Sequence, residues 1–297
     1  MKRIFALILS FALLLSCLVL PAGAMFDPSP VYQVQAQSAY IVNTDTNIIV
    51  YEKDSTKQVS AGGLTKYMTI ALVLTNYADQ LDNTFQMPFA ISDYVHNTSN
   101  ADMRSNETFT YREALYAMVT RNANEAAMGL AYTLSGGDLD GWVSQMNALS
   151  QRIGTTNSTW TDACGIDSGN VTCAVDMYLI LRYLMSFDAF VEISGVPTFT
   201  MPAKEKHRSP SVLVSQNAAL SKSSGGNKNL FCFVQLIAFP FSHLINLFKR
   251  KEGKKTHTFD NVCIVYISPV LVEIKRGCLI RIKPYSSGLG FSHLLAL

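Results

Sequence analysis

Residues 60–77 read SAGGLTKYMTIALVLTNY. Lys66 stands at the start of an apolar, helix-like run, three residues after Gly63. Residues three apart on a helix share a face, so this is the spacing of a nucleophile and the base that serves it. Glycine leaves the nucleophile's place empty. Two hydroxyls lie nearby. Ser60 comes three residues too early, before the helix begins. Thr65 is adjacent to Lys66 and points about 100° around a helix from it. Neither stands at the required spacing. Lys66 therefore has two readings, a surviving proton acceptor or a helix-start lysine that is solvated or ion-paired. No CxxC or Cys/His ligand spacing occurs and the five histidines are scattered, so no metal and no cofactor is expected.

The surrounding pattern supplies elements to hold such a site. SAYIVNT (38–44) and NIIVYEK (47–53) are β-branched runs that predict a hairpin feeding a sheet. LTKYMTIALVLTNYA is apolar on most sides and predicts a buried helix. Residues 82–108 are polar and turn-rich, with short strands. Residues 110–134 predict a strongly helical region broken near Arg121–Asn124, opened by a Thr110/Glu113 capping box. Residues 139–154 predict an amphipathic helix closed by Gly154. DACGIDSGN (162–170) is a loop, 173–187 a further helix, and FTMPA (199–203) a short extended piece.

The chain has 297 residues, 48% of them hydrophobic, enough for a sizeable core in one large or two smaller domains. Its formal charge of +2 singles out no partner, and nucleic acid is not expected. The distribution says more: residues 220–297 carry a balance of +8 and the remainder −6. That marks a composition boundary near residue 220. The N-terminus has the form of an export signal, with MKR, an apolar run and PAGA, which places Ala22 and Ala24 for cleavage ahead of Met25. A lipidation signal on Cys17 fits less well, and a retained anchor is the third reading. The expected location is therefore extracytoplasmic, at the cell wall or the outer membrane face. Of the remaining five cysteines, Cys164 and Cys173 are close enough to pair, or else are small buried residues. Residues 230–255 combine an uncharged apolar run with KRKEGKK, a candidate for peripheral membrane association or a solvated basic surface. Segments within 262–283 alternate as short strands.

Residues 36–219 resemble the serine D-alanyl-D-alanine carboxypeptidases, the low-molecular-weight penicillin-binding proteins. AYIVNTDTNIIVYEKDSTKQVSAGGLTKYMT is similar to that family's opening hairpin and PASLTKxMT helix. RSNETFTYREALYAMVTRNANEAA resembles its GExxT…SGNDAA segment, and MNALSQRIGTTNSTWTDACGID its MNxxAxxLGMxNTxFxNPxGLD segment. The resemblance implies an α/β fold in which an antiparallel sheet is flanked by helices, with an inserted helical region and a replaced C-terminal part. The implied domains are a signal at 1–24, an incomplete peptidase-like domain at 25–219, and an unrelated segment at 220–297. It implies peptidoglycan stem peptides as the ligand and acyl-serine hydrolysis as the ancestral reaction. Carried over residue by residue, Lys66 is the proton acceptor and Gly63 the lost nucleophile. Asn122 replaces the serine of the second motif, and Asn124 is its asparagine. No Lys-Thr-Gly exists anywhere in the chain. KTH at Lys255–His257 is the nearest string, and it comes late.

Overall fold

A computed structural model of the chain describes residues 36–44 and 47–216, and the backbone of six strands between 232 and 284. The export signal, Cys17 and most of the 230–255 stretch lie outside the described residues. Among the described residues, no helix is long and apolar enough to cross a membrane.

The predicted hairpin is present as β1 (Ser38–Asn43) and β2 (Ile48–Lys53), paired antiparallel from Ala39↔Lys53 to Asn43↔Ile48 with an irregularity at Ile41/Val42. Short strands follow: β3 (Val59–Ser60), β4 (Thr84–Gln86), β5 (Thr108–Thr110) and β6 (Val171–Thr172). The helices are α1 (Thr65–Tyr77), α2 (Tyr111–Arg121), α3 (Asn124–Leu134), α4 (Leu139–Ile153), α5 (Ala174–Leu184) and α6 (Asp188–Ser194). A hairpin of β7 (Thr198–Met201) and β8 (Ser211–Val214) comes next. The backbone then forms β9 (Cys232–Gln235), β10 (Lys251–Glu252), β11 (Lys255–Thr256), β12 (Val262–Ile267), β13 (Val270–Lys275) and β14 (Leu279–Pro284).

The principal sheet has the order β2-β1-β12-β9. β12 pairs antiparallel with β1 from Ser38↔Ile267 to Asn43↔Val262, so a late strand does cover the edge of the opening hairpin. β9 joins β12 in parallel, unlike the other pairs of this sheet. Among the described residues, Lys255 and Thr256 pair with Glu252 and Lys251, in a hairpin outside this sheet. Lys255 and Thr256 therefore do not pair with β1.

The helix α1 is apolar on nearly every side because it is buried on nearly every side: every residue from Met68 to Leu74 is buried. Its Thr69 hydroxyl donates to the Ala163 carbonyl at 2.6 Å, and Thr75 shares a hydrogen bond with the Tyr183 hydroxyl of α5 at 2.9 Å. Tyr67 meets Phe190 of α6 edge-on at 6.3 Å. The sheet is tied to α5 by Tyr40 against Tyr178, at 5.4 Å between centroids. Together the Thr69, Thr75 and Tyr67 contacts fix α1, and hence Lys66, against the loop at Ala163 and the helices α5 and α6.

The break between α2 and α3 has a local cause. Asn122 caps α2 in the left-handed conformation, φ 54° and ψ 38°, which asparagine tolerates better than most residues. The capping box at Thr110 and Glu113 is complete, and Gly154 closes α4 at φ 100°. Cys164 and Cys173 are both free and buried, so the non-bonded reading holds for that pair.

Candidate active site

Gly63 lies in a short 3-10 turn, Gly62–Leu64, that leads directly into α1. Gly62, not Gly63, takes the left-handed backbone there, at φ +47°. Position 63 therefore has a backbone open to an ordinary side chain, and its glycine is not required by conformation. The turn is pinned from both ends. The Ala61 N–H donates to the Asn170 carbonyl at 2.9 Å, and the Leu64 N–H to the Ala61 carbonyl at 3.0 Å.

One turn on, Lys66 is 2% exposed. Its ammonium nitrogen donates to the Cys164 carbonyl at 2.7 Å, its sole hydrogen bond among the described residues. Among the described residues the lysine is neither at the surface nor in a salt bridge, which goes against the solvated or ion-paired reading. Burial lowers its pKa to about 8, although Cys164, Asp162 and Glu125 act in the opposite sense. An amine in this state exchanges its proton near neutral pH, as a proton acceptor must.

The loop that receives Lys66 is organised by one carboxylate. Asp162 accepts backbone N–H groups from Cys164 at 2.9 Å, Ile166 at 2.9 Å and Asp167 at 2.7 Å, and also that of Gly165. The Tyr94 hydroxyl donates to it at 2.8 Å. Burial works to raise the Asp162 pKa, but the donors from Asp167, Gly165, Tyr94 and Cys164 outweigh it and hold the group below the usual carboxylate range. Tyr94 is driven upward by burial and by Asp162, so it stays a hydroxyl donor. Gly165 adopts φ +88°, and its Cα lies so close to Gly62 that an added Cβ would fall 1.7 Å from the Gly62 carbonyl oxygen. The loop thus abuts the turn that carries position 63.

The second motif approaches from α3. Asn124 opens that helix, 7% exposed, with its backbone N–H on the Ser99 carbonyl at 2.9 Å. Its side chain makes no hydrogen bond among the described residues. Glu125 is 5% exposed. Its Oε1 accepts the N–H of Ala101 at 2.6 Å and of Met103 at 3.3 Å, while its Oε2 has no partner among the described residues. Burial raises the Glu125 pKa despite those two donors and the nearby Lys66 charge. Thr65 is fully buried with an unpartnered hydroxyl. That burial counts against Thr65 as a replacement nucleophile. Asn122 caps a helix and makes no side-chain hydrogen bond among the described residues.

The structure therefore places Lys66 and the start of α3 on one centre. It also brings in Cys164, Asp162, Tyr94 and Glu125, which the spacing argument did not identify. Asp162 had a signal: an Asp three residues before a Gly is a turn builder. Glu125 had none, since its burial depends on loop 99–103 folding over it.

Lys66 yields a prediction. Its displacement from 10.5 to about 8 corresponds to about 3 kcal/mol of penalty on the charged amine. Lys66→Met removes that penalty but orphans the Cys164 carbonyl, which costs about 1–2 kcal/mol. A net gain of about 1–2 kcal/mol is expected at pH 7. Between about pH 8 and 10.5 the unfolded chain holds the lysine proton and the folded chain does not, so native stability rises with pH. The advantage of the variant shrinks across that window. Urea denaturation of both proteins at pH 7, 9 and 10.5 measures it.

Comparison with known proteins bears on the family and the fold. The family model described as D-alanyl-D-alanine carboxypeptidase matches residues 24–223. The chain is 24% identical over 170 residues to the D-alanyl-D-alanine carboxypeptidase DacF of Bacillus subtilis, covering 54% of this chain and 42% of that protein. It is 23% identical to DacB2 of Mycobacterium tuberculosis, with coverages of 70% and 68%. To the D-alanyl-D-alanine carboxypeptidase of Streptomyces sp. strain K15 it is 28% identical, with coverages of 50% and 52%. The chain thus spans less than two thirds of the length of the first and third of these relatives. Among solved structures, the Streptomyces K15 DD-transpeptidase superposes with a TM-score of 0.61 at 24% identity, covering 65% of this chain and 78% of that one. A D-alanyl-D-alanine carboxypeptidase from Mycobacterium tuberculosis superposes at 0.59 with 23% identity, covering 68% and 73%. The shared fold is that of the DD-peptidases.

Proposed function

The chain belongs to the D-alanyl-D-alanine carboxypeptidase family, and from that premise we propose that it is a non-catalytic member that keeps a stem-peptide cleft without a nucleophile. The observation that carries this reading is Gly63 at the place where the acyl-serine would form, one turn before a buried Lys66. Hydrolysis through an acyl-enzyme needs an oxygen or sulfur at that point, and glycine offers neither. Loss of a serine nucleophile costs about a million-fold in turnover. The second motif keeps Asn124 and replaces its serine by Asn122. The Lys-Thr-Gly element is absent from the sequence.

Binding outlasts catalysis in this reading because contacts to a peptide extend well beyond the reacting atom. The ligand is the peptidoglycan stem peptide, and the location is outside the cytoplasmic membrane, supported by the family and by the form of the N-terminus. Co-sedimentation of the full chain with purified cell-wall sacculi tests it. Pelleting above a control protein, reduced by soluble stem peptide, is expected; no pelleting above the control contradicts binding.

Residues 220–297 are a separate segment in this account. The shift in charge near 220 and the end of the family match at 223 support it. A frameshift or fusion downstream of codon 219 explains the change, and the gene decides between them. A Lys-Thr-Gly strand in another reading frame identifies a frameshift; its absence from all frames leaves a fusion.

A further inference from the structure

We infer that His207 is a pH-sensitive clasp: with both ring nitrogens protonated it ties the β7–β8 hairpin to the loop at 99–107, and with one proton lost it releases that loop at Asp102. The loop borders the candidate site, since the Asn124 N–H rests on the Ser99 carbonyl and Glu125 Oε1 accepts the N–H groups of Ala101 and Met103. The clasp is independent of the stem-peptide reading and needs no ligand.

Donors and acceptors decide the state of the ring. His207 lies in the connection between β7 and β8, with a carboxylate at each ring nitrogen. Its Nδ1 is 3.0 Å from Glu107 Oε2, and its Nε2 is 2.5 Å from Asp102 Oδ2. An ionised carboxylate only accepts, so both contacts are hydrogen bonds only when both nitrogens carry protons. Neutral imidazole has one N–H and one lone pair, so one carboxylate must then face a lone pair. The two carboxylates are unequal. Glu107 is fully buried and also accepts the backbone N–H of Lys206 at 2.7 Å and of Arg104 at 3.3 Å. The Asp102 side chain is 60% exposed and can swing into water. The remaining proton therefore stays on Nδ1, facing Glu107, and the contact that is lost is the one to Asp102.

The other charges around the ring are already engaged. Arg104 pairs with Asp102 at 3.1 Å on the surface. Burial works to raise the Asp102 pKa, but Arg104 and His207 outweigh it, so Asp102 stays an acceptor. The Lys206 ammonium donates to the Ser105 carbonyl at 2.6 Å. The Lys204 ammonium is held by both oxygens of Glu113, at 2.8 and 2.9 Å, and its backbone N–H donates to the His207 carbonyl at 2.7 Å. These lysine contacts keep the hairpin docked when the ring is neutral, which confines the change to the loop. Glu205 and Arg208, the nearest charges along the chain, are exposed. Asp102 takes the left-handed backbone, φ 60°, between the two residues whose N–H groups hold Glu125. Freeing it therefore loosens those two hydrogen bonds. Glu125 titrates beside the same loop with the opposite sign. Burial raises its pKa, and its ionisation on raising the pH makes Oε1 a stronger acceptor.

Histidine changes charge between about pH 5 and 8. The test is amide hydrogen exchange of the full chain at Ala101 and Met103 across that range, corrected for the intrinsic rate. Two variants accompany the wild type. His207→Gln keeps a donor for Glu107 but never carries a charge. Asp102→Asn offers an oxygen to the charged ring and an NH2 to the neutral one, so it serves both states. Glu125 is present in all three proteins, so its titration cancels in a ratio. The protection of the wild type relative to His207→Gln is expected to fall about tenfold from the acid to the alkaline end, the loss of one charge-assisted hydrogen bond. Asp102→Asn is expected to show no such fall. A wild-type ratio that stays level or rises overturns the clasp, and so does a fall that persists in Asp102→Asn.

Discussion

Asp162→Ala is expected to cost about 3–5 kcal/mol and to release the loop at 164–167. The carboxylate is the common acceptor of four consecutive backbone N–H groups, from Cys164 to Asp167, and of the Tyr94 hydroxyl. Alanine leaves those donors without that acceptor: Cys164 is buried and Gly165 half-buried, while Ile166 and Asp167 are exposed and can turn to water. Each unsatisfied buried donor costs about 1–3 kcal/mol, reduced where the loop relaxes toward water. Asp162→Asn keeps one acceptor oxygen but turns an NH2 toward other N–H groups, so it falls between the wild type and Ala. The pH dependence has a definite sign. The native Asp162 pKa lies below its usual value, so its stabilisation is complete above the unfolded carboxylate pKa and is lost as pH falls through the native one. Denaturant unfolding gives the total, and hydrogen exchange at 164–167 locates it. A loss under about 1 kcal/mol would show that the loop is held by other contacts.

Gly165→Ala is expected to be at least as damaging, at about 4 kcal/mol or more. Two effects act together. The residue sits at φ +88°, and a Cβ there would lie 1.7 Å from the Gly62 oxygen and 2.4 Å from its carbonyl carbon. Both obstacles are backbone atoms and cannot rotate away. The loop and the turn that carries Gly63 must separate, and the Cys164 carbonyl that accepts from Lys66 moves with them. Gly62→Ala is the control. Its φ of +47° imposes strain, but its Cβ would meet nothing within 4 Å, so about 1 kcal/mol is expected. Comparable midpoints for the two variants would contradict the contact between loop and turn.

Much of this architecture is legible in the residues. The β1–β2 hairpin, the buried α1, the interruption at Arg121–Asn124, the capping box and the Gly154 stop follow from periodicity and turn chemistry. These are local signals, and local physics produces them. Three features were not legible, for a common reason. The helix α6 is seven residues long, too short to show a period. The pairing of β12 with β1 joins residues more than two hundred positions apart, and no local pattern encodes register across such a distance. The burial of Lys66 depends on the Cys164 carbonyl, 98 positions away in the chain. A lysine near a helix start reads as solvated until a distant loop closes over it.

At the site, sequence spacing located Lys66 and the empty place at Gly63 but not what surrounds them. Asp162 shapes the loop, and Glu125 and Asn124 bring unused polar groups to the same centre. A buried, partly satisfied polar centre is costly to maintain in a core. Its presence beside Gly63 supports the binding reading proposed for this centre.

The most direct measurement is intact-mass spectrometry of the full chain after prolonged incubation with benzylpenicillin. A β-lactam reports acylation itself, independent of turnover. With glycine at position 63 and the Thr65 hydroxyl fully buried, the account predicts an unchanged mass. A stoichiometric penicilloyl adduct, on whichever residue peptide mapping places it, would contradict it.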